Sequence, residues 1–197
     1  TAALAGSILL LGDITTDGFQ TPLPPAAMPS NAGDVTVATV NGSITTAAIS
    51  ALGGATIDPT IMGEGGVITL NADGLTADVT TDGTINTSTE VAANPIKVDI
   101  DADRDVDINQ AITTRGGSVD VDAGRNINSA ATGDITTTGD KNDENSGNVE
   151  MNTNNAAVEG SITLAGSVDT SGINANAAAI VDAVRAASEG GAKMLFT

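Results

Sequence analysis

Five aspartates at alternate positions, Asp99, Asp101, Asp103, Asp105 and Asp107, are the residues of this chain best placed to do chemistry. Side chains two apart in a strand share a face, so one extended segment would line these carboxylates up in a row, and hard oxygen ligands can hold Ca²⁺. The spacing departs from the known calcium loops. A helix-loop-helix site starting at Asp101 requires Gly where Val106 stands and Glu where Ile112 stands. The segment also carries Val98, Ile100, Val106 and Ile108 in alternation with the acids, which reads as an outward acidic face over a buried apolar one, with Arg104 relieving part of the repulsion. Asp140, Asn142, Asp143, Glu144 and Asn145 form a second oxygen-rich group in a loop-like stretch. The calcium candidates are thus Asp99, Asp101, Asp103, Asp105, Asp140, Asp143 and Glu144. A solvated acidic surface is the expected role, calcium is the alternative, and no other cofactor is expected.

Catalytic groups are sparse. The chain has no His, Cys, Tyr or Trp, and its Lys and Arg stand singly. Paired carboxylates can do acid-base work on polysaccharides, but there is no Tyr or Trp to stack on a sugar ring and no glycine-rich phosphate loop of the Walker type. A non-enzyme is expected, with a polysaccharide-active enzyme as the alternative. The 25 acidic against 7 basic residues give a formal charge of -18, so a nucleic-acid polyanion would be repelled. The apolar start, Ala2 to Leu11, is too short to span a membrane and lacks a basic flank. Absence of cysteine is compatible with export and does not fix a compartment.

The elements that must carry these residues are announced by repetition. Ile or Val, one polar residue, then Thr recurs at Ile14-Thr15-Thr16, Ile44-Thr45-Thr46, Ile85-Asn86-Thr87, Ile112-Thr113-Thr114, Ile135-Thr136-Thr137 and Val168-Asp169-Thr170. Strand parity places each Ile or Val and its Thr inside, with the middle residue outside. A second phrase aligns Gly66-Val67-Ile68-Thr69-Leu70 with Gly117-Ser118-Val119-Asp120-Val121 and with Pro95-Ile96-Lys97-Val98-Asp99-Ile100. A third, shorter strand is plainest at Val106-Asp107-Ile108 and Asn126-Ile127-Asn128. Three short strands per turn follow, with corresponding positions at 35, 68, 98, 119 and 149 and a period between about 21 and 33 residues. Stacked copies of one β unit bury a narrow continuous core, which suits a chain with only 2 Phe. A flat outward Thr ladder of the ice-binding kind fails, because the middle positions are not uniform.

Segments such as Gly116-Gly117-Ser118-Val119-Asp120-Val121-Asp122-Ala123-Gly124-Arg125-Asn126-Ile127 and Gly133-Asp134-Ile135-Thr136-Thr137-Thr138-Gly139 resemble the repeats of filamentous haemagglutinin-type proteins, large bacterial surface adhesins. The resemblance covers about residues 6 to 172. It implies a right-handed parallel β-helix, export to the cell surface, and a role in adhesion or matrix building; it transfers no binding residue.

The expected organisation is a parallel β-helix over 1–172 with insertions near 19–33 and 140–147, then a helix over 175–188 and an apolar tail within 173–197, acting as cap or connector. The four prolines at 22, 24, 25 and 29 exclude a central strand there. The expected function is an extracellular structural or adhesive module whose partner is itself, another surface protein or a glycan, with a calcium-dependent binding module as a further alternative. The apolar first rung, with Ile8 and Leu10, and the tail residues Met194, Leu195 and Phe196 are the expected assembly contacts, the tail adding to the next copy's first rung. The other reading of that open rung is a fragment of a longer solenoid.

Overall fold

The computed structural model describes residues 6–19, 29–55, 63–89, 95–139, 146–153, 160–171 and 193–196. They form eighteen strands and no helix. The strands come three to a coil. The first coil is β1 (Ile8–Leu9), β2 (Ile14–Thr15) and β3 (Val35–Val40); the second is β4 (Ile44–Thr46), β5 (Ile49–Ala51) and β6 (Ile68–Asp73). The third holds β7 (Val79–Thr81), β8 (Ile85–Thr87) and β9 (Ile96–Ala102), and the fourth β10 (Asp105–Ile108), β11 (Ile112–Thr113) and β12 (Ser118–Ala123). The fifth holds β13 (Asn126–Ser129), β14 (Ile135–Thr136) and β15 (Val149–Thr153); β16 (Ser161–Leu164), β17 (Val168–Asp169) and β18 (Lys193–Phe196) complete the sixth. Equivalent strands stack into three six-stranded sheets: sheet I from β1 to β16, sheet II from β2 to β17, sheet III from β3 to β18. All pairings are parallel except β15 with β18. This is a β-solenoid.

The core is a set of apolar columns. Ile14, Ile49, Ile85, Ile112, Ile135 and Val168 stack along sheet II, and Ile8, Ile44, Val79, Val106, Ile127 and Ile162 along sheet I. Sheet III adds Val35, Ile68, Val98, Val119 and Val149, the series expected from the repeat, and a second column of Val37, Leu70, Ile100, Val121 and Met151. Each fully buried Ile contributes on the order of 2 kcal/mol, so the columns supply most of the driving force without aromatic bulk. Ala72, Ala102 and Ala123 fill the narrow corner between sheets III and I.

Three expectations shift. Five of the six Ile/Val-x-Thr phrases stack on sheet II, but Ile44-Thr45-Thr46 belongs to sheet I beside Val79-Thr80-Thr81; the sheet II member of its coil is Ile49-Ser50-Ala51. The alternating aspartates do not lie on one strand: β9 ends at Ala102 and β10 begins at Asp105, so the row turns a corner. In β9, Ser118 pairs with Ile96 and Val119 with Val98, which leaves Lys97 as the extra residue of a β-bulge. Ile96 is 48% exposed and Lys97 only 4%, the reverse of simple alternation. The helix expected over 175–188 lies outside the described residues.

Candidate functional site

The three corners of the coil are unequal. Connections from sheet I to sheet II are at most five residues long in every coil, and those from sheet III to sheet I are equally short except for 154–160, between β15 and β16. The chain between sheets II and III runs over 16–34, 52–67, 88–95, 114–117, 137–148 and 170–192 in the six coils. Only the fourth is tight, so the longest connections, including those that span the insertions expected near 19–33 and 140–147, leave from one edge of the prism. In repeat proteins, insertions carried on one side are a common site of recognition.

A reciprocal pair of hydrogen bonds closes the base of these insertions. In coil one the Gly33 N–H donates to the Thr16 carbonyl at 3.0 Å, and the Thr16 hydroxyl donates to the Gly33 carbonyl at 2.7 Å. In coil five Gly147 and Thr137 make the same two bonds at 3.0 and 2.5 Å. In coil four the Gly117 N–H reaches the Thr114 carbonyl at 3.2 Å and the Thr114 hydroxyl returns to the Gly117 carbonyl. There the two-residue turn holds Arg115 at φ 46° and Gly116 at φ 98°. The inward Thr therefore has a function: its methyl packs and its hydroxyl fastens the start of sheet III to the end of sheet II. Because the fastening does not depend on what lies between, the coil tolerates connections of very different length.

Coils two and three lack the complete clasp. Ala51 stands where the Thr belongs, and the Thr87 hydroxyl, one coil on, donates to the Gly66 carbonyl at 2.6 Å and the Ala51 carbonyl at 3.3 Å. With Thr87 so engaged, the corner of coil three is held instead by the bulged Lys97. Its ammonium donates to the Gly65 carbonyl at 2.6 Å and pairs with Glu64 at 2.5 Å, and the Thr89 hydroxyl donates to the same Glu64 carboxylate at 2.9 Å. Gly117 lies over this buried chain, where a Cβ would come within 2.2 Å of the Lys97 Cγ. Sequence reasoning missed this pair. The available signal was the additional residue in Pro95-Ile96-Lys97-Val98 relative to Gly117-Ser118-Val119.

The calcium candidates separate. Asp99 and Asp101 project from β9 beside Asp120 and Asp122 of β12, and Glu150 follows Asp120 on β15. Partial burial on the sheet and then the charge of Asp122 push the Asp99 carboxyl above its ordinary value; for Asp101 the same two causes are joined by Asp103, Asp73 and Asp99. Asp103 sits at the corner and accepts the Gly74 N–H at 2.6 Å. Asp105 has turned away altogether. It is buried, takes a two-pronged hydrogen bond from Arg125 and accepts the Asn126 N–H at 3.2 Å. The Arg125 guanidinium holds its carboxyl below the usual range. Asp105 belongs to a column in which each corner side chain accepts the N–H one coil on: Ser7 from Ser43, Ser43 from Asp78, Asp78 from Asp105, Asp105 from Asn126. Among the described residues no three acidic groups converge on a point that could hold a metal ion. Asp140, Asp143 and Glu144 lie outside the described residues.

The expected assembly contacts stand at opposite ends. Ile8 and Leu10 pack on the first coil and remain partly buried. Residues 193–196, with Met194, Leu195 and Phe196, pair antiparallel with β15 of the same chain, Met194 opposite Met151 and Phe196 opposite Val149. This strand occupies the cap position of sheet III. Among the described residues no helix is long and apolar enough to cross a membrane. No protein-family model matches the chain, and no curated protein and no solved structure matches it.

Proposed function

We propose that this chain is a non-catalytic, extracellular β-solenoid module of the filamentous haemagglutinin type, right-handed in its winding, that presents recognition insertions along one edge of a rigid rod. Its partner is a surface glycan, a surface protein or a second copy. The observation that carries the reading is the gathering of the longest connections at the corner between sheets II and III, two of them closed by the Thr-Gly clasp that also holds the tight turn of coil four. A rod that adds its longest connections at one edge, and fastens two of them at the base by the same clasp, is organised for display. The acidic surface agrees with partners other than nucleic acid.

The test is to shorten the two clasped insertions one at a time, between Thr16 and Gly33 and between Thr137 and Gly147, using the Arg115-Gly116 turn of coil four as the replacement. Binding is read on a glycan array and on intact cells, and folding by thermal melting. The expected result is loss of binding in at least one shortened chain with a melting temperature within a few degrees of the parent. Binding unchanged in both, or turnover of an acidic or neutral polysaccharide by the parent, would overturn the reading.

A further inference from the structure

The insertions of coils one and two are tied to each other as well as to their own coils. Past the ends of β2 and β5 the outgoing segments, 16–19 and 51–54, continue the pairing of sheet II: the Thr16 N–H donates to the Ser50 carbonyl at 2.9 Å and the Gly18 N–H to the Leu52 carbonyl at 2.7 Å. The returning segments, 30–33 and 63–66, pair before β3 and β6 begin, with the Ala32 N–H donating to the Glu64 carbonyl at 2.9 Å and the Glu64 N–H to Asn31 Oδ1 at 3.0 Å. Within coil one the Ser30 hydroxyl joins the two segments, accepting the Phe19 N–H and donating to the Phe19 carbonyl at 3.2 Å. Within coil two the Gly63 N–H joins them by donating to the Gly54 carbonyl at 2.8 Å. One more bond runs diagonally, from the Gly54 N–H to the Ser30 carbonyl at 2.9 Å. Ser30 therefore holds coil one with its hydroxyl and coil two with its carbonyl. No side chain separates these segments: a Cβ on Gly63 would overlap the Ser30 carbonyl, and one on Gly54 the Phe19 carbonyl. Coil five is built differently. The base of its insertion is held by the Thr137-Gly147 clasp, and the coil before it has only the Arg115-Gly116 turn at this edge.

We propose that the insertions of coils one and two open and close as one unit, so that a partner engaging one engages both, and that the insertion of coil five is a second, independent unit. This rests on the display reading and divides the display edge into two sites. The coupling has a physical cause. Opening the base of either insertion moves Ser30 or Gly54 and breaks a bond that the other coil uses, so the two bases share one opening free energy. Main chain lies directly against main chain at Gly54 and Gly63, and no flexible side chain is present to absorb a shift. Whatever steadies one insertion then steadies the other, by the same factor in both directions. Because the bases are one strand spacing apart, about 5 Å, a single partner surface can span them. Coil three leans on the same unit, its Ser88 hydroxyl accepting the Gly53 N–H at 3.1 Å.

The test is amide hydrogen exchange on the full chain, read residue by residue by NMR, with each substitution made in one coil and its effect read in the other. Ser30→Ala removes the hydroxyl that joins the coil-one segments and keeps the carbonyl. It is expected to speed exchange of the Gly63 N–H, whose own bond lies within coil two, at least tenfold. Gly63→Ala sets a methyl against the Ser30 carbonyl and is expected to speed exchange of the Phe19 N–H in coil one by a similar factor. The Gly147 N–H of coil five is expected to stay within twofold of the parent in both variants. Should Gly63→Ala fail to fold, Ser30→Ala decides alone. Acceleration confined to the substituted coil, or shared equally by Gly147, overturns the proposal. Binding is read on the same variants with the glycan array and intact cells. Coupled exchange in a chain that binds neither supports the unit and removes the display reading; uncoupled exchange in a chain that binds through an insertion removes the unit alone.

Discussion

Carboxylates in this rod live in two kinds of place. At the corners they meet cations: Glu64 holds the buried Lys97 and Asp105 takes the guanidinium of Arg125. On the outer face of sheet III they meet one another, Asp99 beside Asp120 and Asp101 beside Asp122. Asp101 and Asp105 are four residues apart in one alternating run, yet the carboxyl of the first is pushed up and that of the second down. The turn at Asp103-Arg104 makes the difference, because it carries the chain from one sheet to the next. Charge in a solenoid is therefore judged by what lies one coil above and below, not by sequence neighbours.

The sharpest way to break this comparison is to remove a buried cation. Lys97→Met strips the ammonium from the half-buried Glu64 carboxylate and from the Gly65 carbonyl and is expected to cost about 3 kcal/mol, because removing one side of an ion pair in a corner leaves the other without its cation. Pairing it with Glu64→Gln is expected to recover most of that loss in urea unfolding. If the single and double variants melt alike, the pair is not what holds the corner.

Asp105→Ala should be the next largest, at about 2 kcal/mol, since charge-assisted hydrogen bonds from Arg125 and Asn126 are lost. Its pH dependence gives the sign. A folded value below the ordinary one, about 3.9, means that the contribution is present above that pH and disappears as pH falls through the lowered value. The deficit of Asp105→Ala should therefore shrink in acid unfolding below about pH 4.

Asp99→Asn with Asp101→Asn should act in the opposite direction, raising stability at pH 7 by roughly 0.5 kcal/mol through relief of like charges across strands. With raised folded values, the native carboxyls contribute stability below their ordinary value and lose it as pH rises through the folded one. The advantage of the double variant should thus vanish toward pH 3. A double variant less stable than the parent at neutral pH would show that this face is held by a cation. The smallest expected effect is that of calcium. Calorimetric titration of the parent is expected to show no micromolar site, and micromolar binding abolished by Asp99→Asn and Asp101→Asn would reverse the assignment.

The clasp corner shows how far local sequence can be read. Strand parity turns the Thr of each phrase inward, and the structure adds that Thr16, Thr114 and Thr137 put their hydroxyls on backbone carbonyls at the base of their coils. The exceptions were not legible. Ile44-Thr45-Thr46 has the same local pattern and sits on another sheet, where the Thr46 and Thr81 hydroxyls find no partner among the described residues. Period-two alternation states which side a residue faces and is silent about which of three sheets carries it. The insertion edge was likewise visible only in part: two excursions could be marked by proline and by charge, but not that the longest connections share a corner.

By itself, the sequence determined the repeat, the inward columns and the aromatic-poor composition, because these follow from alternation and from stacking like on like. Tertiary structure alone decided what each charged group meets. Lys97 is buried because one extra residue bulges the strand and reverses its parity, and Glu64, more than thirty residues earlier, waits one coil away. Asp105 leaves the acidic row because the chain turns a corner two residues before it. Neighbours in a solenoid are set by the length of a coil, and that length changes from turn to turn with the insertions, so a contact between coils cannot be read at any fixed spacing along the chain.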